Sequence, residues 1–393
     1  MWLRATFREF LRPNSRPYTL GPEEDAHLVG MRLYGVGPFH RELKPAMQIA
    51  KKSHFVIRAG DVIYNKLFAW KGTFGIVPPA LDGMFVSDKF PTYELDRSRV
   101  DERFLAWYFR CPPLWEEARV MSTGSAALSK LTLNPPKFLL LTIPLPPLAE
   151  QRRMVARIEE LAAQIHEART LRHQAAEEAA VLLPSGMAGI FKKLGGKHPT
   201  KKLEELCDVV RGGSPRPAGT PLYYGGDIPF LKVGDLTRDD GMYLYEASAS
   251  VNELGREQSR FIEVDTLMLT NSGATLGVPK ITKIAGCFND GSQAFLNLSP
   301  SVEKEFLYYL FKSKTLWFRE QLARGQGQPN LNTDMTKQMD VPVPPLPEQR
   351  RIVAELDALQ AEVDALKRLQ TETAAQLDAL LPAVLDRAFK GEL

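Results

Sequence analysis

Apolar positions recur along two long stretches of the chain with the same signature. Met154, Ile158, Leu161, Ile165, Ala168, Ala175, Ala179 and Leu182 keep to a register that alternates steps of four and three, with Arg172 at its one polar position. Ile352, Leu356, Leu359, Val363, Leu366, Thr373, Leu377 and Leu380 repeat it 198 positions later. That spacing is a heptad seam and predicts long helices over about 149–182 and 347–380. Each helix is introduced by a proline-rich stretch, Ile143-Pro144-Leu145-Pro146-Pro147-Leu148-Ala149-Glu150-Gln151-Arg152-Arg153 and Val341-Pro342-Val343-Pro344-Pro345-Leu346-Pro347-Glu348-Gln349-Arg350-Arg351. Proline holds the preceding residue extended and is tolerated in a first helical turn, so these stretches read as rigid approaches. Pro184 is expected to end the first helix, with a short helix following to Leu194 and a hinge at Gly195-Gly196.

Outside the helices the pattern changes to short runs cut by glycine and proline. His54–Ile57, Asp61–Tyr64, Ile228–Val233 and Thr266–Thr270 read as strands, and Arg103–Arg119 as an amphipathic helix interrupted at Pro112-Pro113. The expected organisation is a globular unit over 1–142, a proline approach and helix over 143–196, a second globular unit over 197–340, and a second approach and helix over 341–393.

The repeat extends beyond the helices. Residues 143–192 align without gaps on 341–390, and Phe104-Leu105-Ala106-Trp107-Tyr108-Phe109 matches Phe306-Leu307-Tyr308-Tyr309-Leu310-Phe311. Ala59-Gly60-Asp61-Val62-Ile63 resembles Glu263-Val264-Asp265-Thr266-Leu267 more weakly. The whole chain reads as a duplication. A helix of about 34 residues is ~50 Å long and cannot bury its stripe alone. The other helix is the partner of matching length, and a globular unit separates them, so an antiparallel pairing is expected. The fold class is therefore α+β: two globular α/β units separated by two long helices in an antiparallel coiled coil, with pseudo-two-fold internal duplication.

Composition narrows the reading. No apolar run approaches the ~20 residues of a membrane span, and the first residues lack a secretory pattern. Cys111, Cys207 and Cys287 stand far apart, which fits a reducing cytoplasm and excludes a disulfide framework or a cysteine-based zinc site. Net charge is +3, distributed as +6 over residues 1–148 and −1 over 197–346. Any nucleic-acid contact must therefore be made by local patches or within a larger assembly.

Catalytic motifs are absent. Asn134-Pro135-Pro136-Lys137 carries lysine where amino-methyltransferases carry an aromatic residue, and no glycine-rich cofactor loop accompanies it. Gly35-Val36-Gly37 lacks the third glycine of a dinucleotide loop, and no phosphate-binding loop of the Gly-Lys-Ser/Thr kind exists. His166 and His173, seven apart, read as solvated helix positions, so no metal site is expected. The remaining features are binding features. Arg211, Ser214 and Arg216 lie in a Gly/Pro loop, and Arg324, Gln326, Gln328 and Asn330 in another. Lys66, Trp70 and Lys71 interleave charge with an aromatic ring, while Ser122, Thr123, Ser125 and Lys130 occupy the matching place in the first unit. Arginine, glutamine and asparagine read base edges in the major groove, although ordinary polar loops have the same composition.

Two variable units, each followed by a Pro-Leu-Pro-Pro-Leu-x-Glu-Gln-Arg-Arg type of stretch, resemble the specificity subunits of type I restriction–modification enzymes. Gly325-Gln326-Gly327-Gln328-Pro329-Asn330-Leu331-Asn332 and the ending Ala388-Phe389-Lys390-Gly391-Glu392-Leu393 add to the likeness. The first unit departs from the pattern, with Gly124-Ser125-Ala126-Ala127-Leu128-Ser129 at the corresponding place. The resemblance implies that each unit is a target-recognition domain reading one half of a bipartite, asymmetric double-stranded DNA target. It implies that the helices set the gap and dock two methyltransferase (M) subunits, to which restriction (R) subunits can be added. The chain itself would be non-catalytic and without cofactor; S-adenosylmethionine, ATP and Mg would belong to partner subunits. Candidate DNA contacts are then the loop residues above together with Lys232, Asn271 and Ser272. Glu150, Gln151, Arg152, Arg153, Glu348, Gln349, Arg350 and Arg351 form the helix joints or contact partners. The residues alone also allow a coiled-coil adaptor whose globular ends bind proteins.

Overall fold

The structure is a computed structural model and describes residues 2–49, 53–124, 131–273, 275–322 and 330–393. The chain divides into two compact units, Met1–His173 with Thr371–Leu393, and Gln174–Gln370. The division cuts both long helices. Each unit therefore contains a globular part, the start of the helix that follows it, and the end of the other long helix.

In the first unit the chain start closes on the chain exit. Strand Arg4–Thr6 pairs antiparallel with Thr142–Pro144, and the Leu145 N–H donates to Leu3 O at 3.0 Å. A four-stranded sheet follows in the order Leu11–Pro13, Thr92–Leu95, Val62–Tyr64, Phe74–Ile76. A second sheet of five strands runs Pro17–Thr19, Ser53–Val56, Phe85–Val86, Asp25–Arg32, Gly37–Pro45. The core gathers Phe7, Phe10, Tyr64, Phe74, Tyr93, Phe109 and Phe138. Tyr64 stacks on Phe138 with centroids 4.1 Å apart, and aromatic pairs of this kind add to what burial alone contributes.

The second unit repeats the closure. Thr200–Lys202 pairs with Asp340–Pro342, and the Val343 N–H donates to Pro199 O at 3.1 Å. Its central sheet runs Asp208–Arg211, Ser292–Leu296, Leu267–Thr270, Pro279–Thr282, Tyr243–Leu244. The first four strands occupy the places of the four in the first unit. The other sheet has four strands, Ser250–Val251, Tyr224–Leu231, Gly286–Phe288 and Arg260–Ile262. The helix that prolines break in the first unit, into Glu102–Tyr108 and Pro112–Met121, is unbroken here as Lys304–Leu322.

The long helices differ from expectation in three respects. The first runs without a break from Leu148 to Lys197, through Pro184, Gly195 and Gly196. The second runs from Leu346 to Lys390, through Pro382. Proline removes one backbone hydrogen bond and crowds the turn before it, but packing on the far side holds the helix together. Leu183, Met187, Phe191 and Leu194 are all buried in the second unit's core beside Leu203 and Phe306. Leu385 and Ala388, with Phe389 packed against them, join the first unit's core. The seam also slips by one residue just before each proline. Leu182 is 49% exposed and Leu380 45%, while Leu183 is buried and Leu381 half-buried. The helix ends face a globular core rather than the partner helix, and that change of partner moves the buried face. Finally, the mid-helix seam position Leu366 is 36% exposed.

Within each unit the helices run antiparallel. In the first, Arg153 donates to Leu393 O and Arg169 pairs with Asp378 at 3.1 Å. In the second, Lys197 pairs with Glu348 at 3.2 Å, and a Cβ on Gly186 would sit 3.0 Å from the Leu359 side chain.

Candidate nucleic-acid interface

Each helix is fixed to its unit at the Glu-Gln-Arg-Arg stretch. Gln151 is wholly buried. Its Nε2 donates to Pro146 O at 2.8 Å and Arg99 O at 3.0 Å, and its Oε1 accepts from the Asp101 N–H at 2.8 Å. Gln349 is equally buried and repeats the set: Nε2 to Pro344 O at 2.8 Å and Ser301 O at 2.9 Å, Oε1 from the Glu303 N–H at 2.8 Å. A buried amide is tolerated when its donors and acceptor are used, and here both N–H groups and the oxygen are engaged. The glutamine thus ties the proline stretch, the long helix and the start of the domain helix at one point. The first arginine of each pair reaches the acid beside that helix start, Arg152 to Asp101 at 3.7 Å and Arg350 to Glu303 at 2.7 Å. The second pairs with an acid of its own helix, Arg153 with Glu150 and Arg351 with Glu355, and Arg153 also reaches Leu393 O. Glu150 lies below the usual carboxylate range because Arg153 hydrogen-bonds to it. Glu348 is lowered by its hydrogen bond from Lys197.

In the second unit the sequence candidates converge on one turn, Asn289-Asp290-Gly291. Arg211 Nε donates to Asp290 O at 2.8 Å. Ser214 Oγ donates to Asp290 Oδ1 at 2.6 Å, and Arg216 Nη2 lies 3.5 Å from Asp290 Oδ2. The Asn271 N–H donates to Gly291 O at 2.9 Å, and its side-chain Nδ2 to Asp290 O at 3.3 Å. Ser272 bridges Asn330. Lys232, exposed, follows the strand whose last residue, Leu231, accepts from the Asn289 N–H at 3.0 Å. Residues 211, 232, 271 and 330, remote in sequence, are thus gathered at one end of the two sheets. Asn271 and Gln293 are fully buried, and their amide oxygens find no partner among the described residues. Gln293 Nε2 donates to Leu331 O at 2.5 Å.

Asp290 is the residue that sequence reasoning missed. Its signal is present: Asn-Asp-Gly between two apolar runs is a turn signature, and its carboxylate takes Ser214 and Arg216 while its backbone carbonyl takes Arg211.

The first unit is less concentrated. Lys66 donates its N–H to Lys89 O and accepts from the Leu133 N–H, both at 2.9 Å. Thr123 bridges Thr132, next to Leu133, and Ser122 Oγ donates to Ala118 O at 2.7 Å. Trp70 and Lys71 lie apart from these, in the turn Ala69–Lys71 that packs on helix Pro112–Met121. The next residue, Gly72, has φ +71°, and a Cβ there would stand 2.4 Å from Trp115 Nε1. Lys71 spends its ammonium over the Trp70 ring, 4.9 Å from the centroid. Ser125, Lys130, Arg324, Gln326 and Gln328 lie outside the described residues.

Among the described residues there is no cluster of three metal-ligating side chains, and no helix is long and apolar enough to cross a membrane. All three cysteines are free and buried, and burial pushes the Cys207 thiol up to about 12, well away from a reactive thiolate.

Comparison with known proteins places this geometry. Residues 197–374 match the family described as the type I restriction modification DNA specificity domain. The MjaIX specificity subunit of Methanocaldococcus jannaschii is 30% identical over 182 residues, 44% of this chain and 41% of that one. The EcoKI specificity subunit of Escherichia coli K12 is 24% identical over 297 residues, 70% and 62% of the two chains. The matched stretches thus span less than two thirds of these curated relatives. Solved structures match end to end. The HsdS subunit of Thermoanaerobacter tengcongensis superposes with a TM-score of 0.71 at 26% identity, covering 100% of this chain and 97% of that one. A chain from a type I restriction–modification system, studied for its complex assembly and conformational transition, reaches 0.74 at 27% identity with 100% and 98% covered. Residues 197–374 thus match the type I restriction modification DNA specificity domain, and over its whole length the chain is similar in fold to a solved HsdS subunit.

Proposed function

We propose that this chain is the DNA-reading subunit of a type I restriction–modification complex. Each globular unit reads one half of a bipartite, asymmetric target. The long helices fix the number of unread base pairs between the halves and carry two methyltransferase subunits. Adenine methylation, ATP-driven steps and the cofactors they require belong to partner chains, and this chain contributes recognition alone. The observation that carries the reading is a duplicated frame bearing different loops: two identical glutamine joints hold two units whose polar loop ends differ residue by residue. One frame with two readers suits an asymmetric target, whereas a protein-binding adaptor has no need of it. Phosphate contacts shared with partner subunits are consistent with a net charge of only +3.

The test is reconstitution with its methyltransferase subunits, followed by methylome sequencing. The expected result is a motif of two short specific halves separated by a fixed run of unspecified bases. A contiguous motif, or none, overturns the proposal.

A further inference from the structure

The internal repeat locates a reading site in the first unit that the sequence does not reveal, because loop insertions break the alignment there. Backbone hydrogen bonds restore it. The Leu331 N–H donates to Asn271 O at 2.8 Å, and the Leu133 N–H, 198 positions earlier, donates to Lys66 O at 2.9 Å. Asn271 in turn donates its N–H to Gly291 O, and Lys66 to Lys89 O, each at 2.9 Å. Lys66 therefore stands where Asn271 stands, and Lys89 where Gly291 stands. The residue before each is an aspartate, Asp88 and Asp290. A third correspondence supports the match. Leu331 O accepts from Gln293 Nε2, and Leu133 O from the Tyr64 hydroxyl at 2.9 Å. Different side chains on neighbouring strands thus anchor the same carbonyl.

The surroundings of the two aspartates differ. In the second unit Arg211, Ser214 and Arg216 all fold onto Asp290. In the first, the corresponding loop ends line an open recess of about 260 Å³ with Asn14, Ser15, Lys66 and Asp88 among its walls, beside Phe55 and Phe90. The recess thus combines a cation, a carboxylate, an amide and a hydroxyl with apolar ring surface. Those are the groups that read base edges: lysine donates to guanine O6 and N7, asparagine pairs with adenine, a carboxylate accepts from the cytosine amino group, and apolar surface meets the thymine methyl.

We propose that Lys66 and Asp88, with Asn14 and Ser15, determine the specificity of the first unit for its DNA half-site, as the counterparts of Asn271 and Asp290 in the second. The Trp70-Lys71 turn, packed on its own helix, takes no part in base reading. The assignment rests on the chain being a bipartite DNA reader, and the experiment separates the two.

Lys66→Gln and Asp88→Asn nearly preserve side-chain length or shape, so folding is spared. Each is assembled with the methyltransferase subunits and its methylome compared with that of the unaltered complex. The expected result is discrimination relaxed on the order of tenfold at one position of one half-site, with the other half and the gap unchanged. Lys71→Ala is expected to leave the motif as it was. If both substitutions preserve every position of the motif, or if Lys71→Ala alters it and they do not, the assignment is overturned while the bipartite reading stands. If the unaltered complex methylates no bipartite motif, both fall together.

Discussion

The two units share a frame of equivalent strand pairings and hydrogen bonds and diverge where their loops end. The shared part comprises the closing strand pair, four sheet strands in the same order, and a buried glutamine with three equivalent hydrogen bonds. The divergent part is the second sheet, five strands in one unit and four in the other, and the polar ends of the loops. In the second unit those ends are drawn together by one residue, Asp290, through its carboxylate and its backbone carbonyl. In the first they surround a recess. The contrast teaches that the joints repeat the same side chain on the same hydrogen bonds, whereas the loop ends keep only their backbone positions. Leu133 O and Leu331 O make the point: the same carbonyl is satisfied by a tyrosine hydroxyl in one unit and a glutamine amide in the other. Satisfaction of the buried acceptor is fixed and the identity of the donor is free.

The largest effect that would test the shared frame lies at the ends of the long helices. The Phe191 ring is 5.4 Å from Phe306 and buried in the second unit. Phe389 lies 5.2 Å from Phe104 and 5.0 Å from Tyr108, half-buried in the first. Phe191→Ala is expected to cost about 3–5 kcal/mol and Phe389→Ala about 2 kcal/mol, because less of its ring leaves water. Hydrogen exchange, which resolves the units separately, is the measurement. Loss of protection confined to the long helix, with the globular part unaffected, would mean that the helix ends are not part of each core.

The glutamine joints come next. Gln151→Leu leaves the Asp101 N–H and two carbonyls without their partner, and Gln349→Leu does the same to the Glu303 N–H. Stranded buried groups of this kind cost about 1–3 kcal/mol each before relaxation, so a net loss of about 2–4 kcal/mol is expected at either joint. Denaturant unfolding should give the two variants similar losses. A large effect at one joint and none at the other would break the equivalence of the units more directly than any superposition.

The joint was legible in the sequence because it is contiguous: prolines, glutamine and arginines within eleven residues, printed twice. The duplication and the antiparallel helices followed from period and length. The helix limits did not, because a proline reads locally as a stop, while the packing that carries the helix past Pro184 comes from Leu203 and Phe306, remote in sequence. The second unit's polar cluster was legible residue by residue, as Arg211, Ser214, Arg216, Lys232, Asn271, Ser272 and Asn330, but not as a cluster. Its organiser, Asp290, is a turn residue whose importance lies only in what folds onto it. In the first unit Lys66 was legible and Asp88 was not. Interleaved charge and aromatic character, as at Trp70 and Lys71, also describes a side-chain pair stacked on itself.

The smallest effect concerns acid, and it separates joints that are otherwise alike. At the first joint Glu150 pairs with Arg153 on its own helix. At the second Glu348 pairs across the helix pair with Lys197, and His198 Nε2 stands 3.1 Å from its other oxygen without the alignment of a hydrogen bond. Both carboxyls are held below the ordinary value, by Arg153 and by Lys197 respectively. A depressed folded-state value means that each contribution is complete above the unfolded carboxylate range and fades as pH falls through the folded value. Both pairs reach solvent, so the effect at either is slight. Only Glu348 ties the two helices together, so Glu348→Gln should raise hydrogen exchange at the end of the first long helix, around Leu194, at neutral pH. Glu150→Gln should leave the end of the second long helix, around Ala388, as protected as before. As pH drops below the carboxylate range the Glu348→Gln variant and the unaltered chain should converge, because protonation removes from the second what substitution removed from the first. A difference that persists at low pH would assign the effect to lost packing instead of lost charge.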